Sequence, residues 1–187
     1  MKKLAWLWIS IGYLFLCCLD GALTYYHSPD LSMEGNPLVA NLGFGWMALF
    51  IANALGLLLF VLTLRITCTY SLPIVQAKNW IEWDAKIFYG EYAKKIWLLY
   101  KLPKNWKVLF HAFGFAYAPA AIAARLILIM EWAVPHWPAW YSALRHRLPL
   151  HRCDVTAAIL VLLIFLVLWI CLFYHRNQRV ALKIVNS

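Results

Sequence analysis

Apolar residues in this chain do not alternate with polar ones as in a half-buried strand. They come in four long blocks, from about Leu4 to Tyr25, Gly43 to Leu64, Val108 to Met130 and Val155 to Tyr174. A helix needs about 20 mostly apolar residues to cross roughly 30 Å of hydrocarbon, and each block has that length. Lipid offers backbone groups no partner, so a spanning segment is a helix or part of a closed barrel. The ten-residue alternation of barrel strands is missing. The blocks therefore predict an all-α, polytopic integral membrane protein with four transmembrane helices, forming a four-helix bundle as a single domain over 1–187.

Composition strengthens this reading. Hydrophobic residues make up 64% of the 187 and charged residues 13%. A soluble domain has close to half its residues apolar and about a quarter charged. That excludes a cytosolic enzyme, a secreted disulfide scaffold and a disordered regulator. The cysteines, Cys17, Cys18, Cys68, Cys153 and Cys171, form no C-x-x-C pair. They read as small hydrophobes. Met1-Lys2-Lys3 and the run after it imitate a signal peptide, but no small-x-small site follows. The run is expected to stay as the first span.

The net charge of +9 would suggest nucleic acid in a soluble protein, yet here its distribution is a topology signal. Lys2 and Lys3 precede the first span, and the loop Tyr26 to Leu42 holds no Lys or Arg. The second loop holds eight, the third holds Arg145, Arg147 and Arg152, and the tail holds Arg176, Arg179 and Lys183. With both termini inside, 13 fall on the cytoplasmic side and three outside, which predicts an N-in, C-in orientation. The expected location is a bacterial inner (plasma) membrane, and nucleic acid is not an expected partner.

The second loop is too long to lack structure. From Asn79 to Tyr100 it reads as an amphipathic helix, with Ile81, Ala85, Phe88, Tyr92, Ile96 and Leu99 at spacings of three and four. Asp84, Glu91 and Lys95 fall on another face, and Trp80, Trp83 and Trp97 suit the headgroup zone. The expectation is an interfacial helix with its Lys residues near anionic lipid at the cytoplasmic face. Docking on a partner protein is the alternative. Pro73 and Pro103 bracket the segment. In the third loop, Pro135, Pro138 and Pro149 predict stiff, partly non-helical chain. Trp132, Trp137, Trp140 and Tyr141 suggest an aromatic belt, and the run from Arg145 to Arg152 goes against the topology rule.

Ionisable residues inside spans point to function by default. Asp20 lies roughly 24 Å along the first helix and Arg125 roughly 26 Å along the third, at 1.5 Å per residue. Both helices run outward, so the two depths match and a pair or shared polar pocket is expected. Thr24 follows Asp20 by four residues, on the same helix face. A structural clamp between helices is one reading of the pair; an outer-leaflet site is the other. The first loop adds Glu34-Gly35-Asn36-Pro37, where Asn36 can cap a helix beginning near Pro37 and Glu34 suits a helix N-terminus. Alternatively, Glu34 and Asn36 fold back toward Asp20 and Thr24.

Asp20-x-x-x-Thr24 followed by Glu34-x-Asn36-Pro37 resembles the signature of an uncharacterised bacterial family of small polytopic membrane proteins. The match covers about Leu16 to Ala40, under a sixth of the chain. The resemblance implies a helical bundle with a polar site at its outer face and supplies no activity. The long basic second loop and the Arg/His-rich third loop depart from the compact family pattern.

Asp20-Gly21 also opens like the CDP-alcohol phosphotransferase motif. That motif needs Ala-Arg soon afterwards and two further Asp at spacing four; Thr24, Tyr25 and Ser32 do not fit it, and Asp30 is isolated. His111 and His175 lie near the inner face and read as interfacial histidines rather than haem ligands. Zinc on His27, Glu34 and His151 has no diagnostic spacing. No cofactor and no metal are expected.

Three functions follow. The leading one is a non-catalytic accessory, assembly or scaffold protein, with membrane lipids and a membrane protein partner or a second copy as its contacts. The second is an enzyme or binder for an anionic lipid-linked substrate at the outer face. There Asp20 or Glu34 would be general base, Arg125, Arg145, Arg147 and Arg152 would hold the anion, Thr24 and Asn36 would line the site, and His151 would carry a proton. The third is an oligomeric transporter.

Overall fold

A computed structural model describes residues 4–32, 43–90, 102–134, 138–147 and 153–185. In chain order these residues form α1 (Ala5–His27), α2 (Trp46–Thr69), α3 (Trp80–Tyr89), α4 (Trp106–Ala133), α5 (Ala139–Arg147) and α6 (Cys153–Val185). The described residues contain no strand. Four helices, α1, α2, α4 and α6, are long and apolar enough to cross a membrane. They fall on the four apolar blocks of the sequence.

The burial pattern is that of a protein solvated by lipid. On α1 the inward side chains Ser10, Tyr13, Asp20 and Thr24 are buried, with Cys17 half-buried between them. Their spacing of three and four places them on one stripe. The outward face carries Trp8, Ile11, Leu14 and Phe15, all exposed. A helix of a water-soluble protein shows the reverse arrangement.

Helix α4 is the hub. It packs along α1, α2 and α6, and also meets α3. Its buried positions include Ala112, Gly114, Ala116, Ala118 and Ala120, small side chains that let neighbouring backbones approach. The closest approach is to α2. A Cβ built on Gly114 would stand 2.5 Å from the carbonyl oxygen of Thr63 and 2.6 Å from Oγ1 of Thr67. Thr67 Oγ1 donates within its own helix to the Thr63 carbonyl at 3.0 Å and is 3.1 Å from the His111 carbonyl across the interface.

These contacts fix the helix directions. The end of α2 meets the start of α4; the middle of α6 meets the same region through Trp169 and His111, and its later residues Asn177 and Gln178 hold the segment after α2. Arg65 near the end of α2 lies over the ring of Trp6 at the start of α1, 5.6 Å from its centre. One end of the molecule thus carries the starts of α1 and α4, the ends of α2 and α6, and α3. We refer to it as the α3 end.

Helix α3 is shorter than the predicted 79–100 helix. Asn79 caps it by accepting from the Glu82 amide at 2.8 Å, and Glu82 accepts from the Lys78 amide at 3.0 Å. Gly90 terminates it with φ 104°, a backbone conformation that glycine adopts without strain. Residues 91–101 lie outside the described segments. The buried face is rotated from the expected one. Ala85 and Phe88 are buried as expected, together with Trp83, Asp84 and Ile87, whereas Ile81 and Trp80 are exposed. The helix turns Trp83 into the chain because α4 and α6 supply an aromatic socket. Trp83 lies 5.6 Å from Trp169 and 6.0 Å from Tyr174, ring centre to ring centre. Trp83 and Asp84 are therefore core residues, not the headgroup and solvent residues that the periodicity suggested.

The extended segment before α3 is held by α6. Asn177 accepts from the Val75 amide at 2.9 Å and donates to the Val75 carbonyl at 2.7 Å. Gln178 donates to the Ala77 carbonyl at 2.8 Å. Backbone groups that have no helix to pair in are thereby satisfied. The second span starts at Trp46 with Gly45 as its N-cap; the expected cap at Asn36 and Pro37 lies outside the described residues. The third loop includes the nine-residue α5, ending at Arg147.

Candidate functional site

Asp20, Asn53 and Arg125 stand seven or eight residues from the ends of their helices that lie away from α3. At 1.5 Å per residue that is roughly 11 Å below the helix ends, so the three side chains occupy one level. Arg125 joins them. Its Nη1 donates to Oδ2 of Asp20 on α1, and its Nη2 donates to Oδ1 of Asn53 on α2. The guanidinium fork thus ties α4 to both neighbours with two differently directed donors, which a lysine could not do in the same plane. Asp20 is 7% exposed. Arg125 is half-buried, and its charge is countered at close range by the one acid on this stripe of α1.

Around the triad the stripe of α1 continues. Cys17 and Tyr13 lie below Asp20 within electrostatic reach of Arg125. Tyr13 stacks on the fully buried Phe60 at 4.0 Å, closing the interior beneath the polar level. Above it Thr24 is buried, and its carbonyl accepts from the Ser28 amide that ends the helix. The expected pairing of Asp20 with Arg125, with Thr24 on the same face, is what the structure contains.

The other candidates are placed differently. Glu34, Asn36, His151 and Arg152 lie outside the described residues. Arg145 and Arg147 are in α5, where Arg147 is exposed and forms no ion pair among the described residues. The structure therefore brings Asp20, Thr24 and Arg125 together and does not join Arg147 to them; the Arg145 side chain lies outside the described part. Asn53 was missed from the sequence, although a lone carboxamide in an otherwise apolar stretch of span was a usable signal.

Two further polar arrangements were also missed. Near the end opposite α3, Tyr141 of α5 donates to Oε1 of Glu131 at 2.6 Å. Burial and the neighbouring Cys153 and Glu131 push the Tyr141 phenol above its ordinary pKa. His27 stacks on Trp132 nearby, with ring centres 5.5 Å apart. At the α3 end, His111 is 2% exposed and accepts the indole N–H of Trp169 at Nδ1, 2.9 Å away. It is a core histidine rather than the interfacial one expected. Asp84 is buried next to Trp83, and its Oδ1 and the Trp83 indole nitrogen have no hydrogen-bond partner among the described residues. Burial raises the Asp84 carboxyl to about 6.

As chemistry, the triad is a satisfied set. The Asp20 carboxylate is engaged by the Arg125 guanidinium. The Arg125 guanidinium is engaged with Asp20 and Asn53 rather than directed at an outside anion. Among the described residues, no three His, Cys, Asp or Glu side chains converge as a metal site. Compared with models of known protein families, with curated proteins and with solved structures, the chain finds no match.

Proposed function

We propose that the protein is a non-catalytic integral membrane protein, an accessory, assembly or scaffold subunit. Its rigid body is α1, α2 and α4 locked by Asp20, Asn53 and Arg125. The observation that carries this reading is the double engagement of Arg125. An enzyme for an anionic lipid-linked substrate would need that guanidinium open to its ligand and a carboxylate free to take a proton. The clamp leaves neither group available, and Phe60 and Tyr13 fill the space beneath it. The exposed apolar faces of α1, α2 and α6 are suited to lipid, to a membrane protein partner or to a second copy of the chain.

The proposed orientation has both termini in the cytoplasm of a bacterial inner membrane. It draws on the basic residues at the α3 end, among them Arg65, Lys104, Lys107, Arg176 and Arg179. Purification from native membranes in mild detergent tests the reading. A protein retained in fixed stoichiometry is expected. Retention of a lipid-linked glycan or pyrophosphate, lost on Arg125→Gln while the fold persists, would replace the scaffold with a binder or enzyme.

A further inference from the structure

Helix α6 is longer than a bilayer needs. Its 33 residues extend roughly 50 Å, against a hydrocarbon core of about 30 Å. Val155 to Tyr174 already accounts for that core, so the residues after Tyr174 leave it. Their rotation is fixed, because Asn177 and Gln178 face inward and hold the segment at Val75 and Ala77.

With that rotation set, the outward face can be followed along the helix in steps of four. One row is Ile164, Leu168, Leu172 and Arg176, and each side chain in it is exposed. The next is Leu163, Val167, Cys171, His175, Arg179 and Lys183, and each of these is exposed too. Each step of four turns about 40° around the axis, so the rows wind slowly, and on the side of Leu172 the exposed residues change from apolar to basic between residues 172 and 175. The switch falls where the helix crosses from hydrocarbon into headgroups. Arg176 and Arg179 stand roughly 3 and 8 Å beyond Tyr174 along the axis, and Lys183 roughly 14 Å. The headgroup layer of one leaflet is about 5–7 Å deep, and charge attraction reaches about 8 Å further at physiological salt. The three cations make no ion pair among the described residues.

We infer that the Arg176–Arg179–Lys183 face of α6 is a binding site for the phosphates of anionic phospholipid headgroups. A lipid whose acyl chains lie along Leu168 and Leu172 has its phosphate at the level of Arg176 and Arg179. A face that turned basic only after rotating away from lipid would suit a soluble acidic partner; here Arg176, Arg179 and Lys183 lie within about 40° of the lipid-facing Leu172 about the helix axis. The inference rests on the spans and on the rotation of α6, not on the scaffold reading.

The test titrates the detergent-solubilised full chain with phosphatidylglycerol and with phosphatidylcholine, and counts retained lipids by native mass spectrometry. Preference for phosphatidylglycerol on the order of tenfold is expected, since each basic residue near an anionic surface contributes measurably. The combined variant Arg176→Gln, Arg179→Gln, Lys183→Gln is expected to lose it. Arg147→Gln, at the other end, is expected to keep it. Replacing both arginines by lysine is expected to retain most of it, which separates loss of charge from loss of fold. Equal retention of the two lipids by the unaltered chain would overturn the proposal. So would an unchanged preference in the triple variant, or displacement of phosphatidylglycerol by an equal concentration of inorganic phosphate.

Discussion

Gly114 of α4 and Thr63 of α2 approach so closely that a single added Cβ would meet the Thr63 carbonyl oxygen at 2.5 Å. Backbone cannot yield as a flexible side chain can. Gly114→Val is therefore expected to separate α2 from α4 and to lower stability by about 1–3 kcal/mol or more. Thermal unfolding in detergent gives the magnitude. Cross-linking between cysteines introduced on the two helices shows whether the crossing itself is lost. Gly12→Ala, whose Cβ would meet nothing within 4 Å, is the matched control and should change little.

Removing one partner of a buried ion pair costs about 3–5 kcal/mol, because the other charge is left without compensation. Asp20→Leu and Arg125→Leu should each destabilise the protein by such an amount. The double variant should recover much of the loss, since apolar pairs of similar size often replace buried ion pairs well. Additive losses in the double-mutant cycle would show that the two groups act separately. Arg125→Lys is expected to fail as well, because one ammonium cannot serve Asp20 and Asn53 with the same geometry.

Asp84 gives stability a pH dependence of known sign. Its folded pKa of about 6 lies above the ordinary 3.8, so the fold favours the protonated carboxyl. Stability from this group is complete below about pH 3.8, falls as pH rises, and is lost once pH passes about 6. The interval corresponds to roughly 3 kcal/mol at 1.36 kcal/mol per unit. Asp84→Asn should flatten the slope between pH 4 and 6 and raise the melting temperature near neutrality. An unaltered slope in that variant would place the titration elsewhere.

Asn177 replaces a strand partner for Val75, accepting and donating at 2.9 and 2.7 Å. Asn177→Ala breaks both bonds and leaves a part-buried amide and carbonyl without their partner, at up to about 1–3 kcal/mol per orphaned group. Faster hydrogen exchange at the Val75 amide is the expected reading, with α1 and α2 unaffected. Asn177→Asp keeps the acceptor and removes the donor, so it should fall between the two.

The four spans and the Asp20–Arg125 pairing were readable from sequence for one reason: both depend only on distance along a helix axis. A rise of 1.5 Å per residue gives depth without knowledge of the fold. What failed depended on rotation about the axis. Ile81, Ala85 and Phe88 are spaced as a buried face should be, and Ala85 and Phe88 are buried, but the buried side is rotated to take in Trp83 and Ile87 and leaves Ile81 exposed. Only the presence of Trp169 and Tyr174 decides that Trp83 turns inward. Gly90 carried a legible stop signal that the longer periodicity overrode. Asn53 escaped because a neutral amide costs less in lipid than a charge and so stands out less in a search for ionisable groups.

The clamp has a consequence in time. Asp20 and Arg125 are 105 residues apart in the chain. A ribosome adding 5–20 residues per second needs roughly 5–20 s to travel from one to the other. For that interval α1 carries an acid into the membrane whose counter-charge has not yet been synthesised. The nascent chain must therefore keep Asp20 hydrated, protonated or lent to another protein until α4 arrives. The fork can close on Asp20 and Asn53 only after α4 has been made.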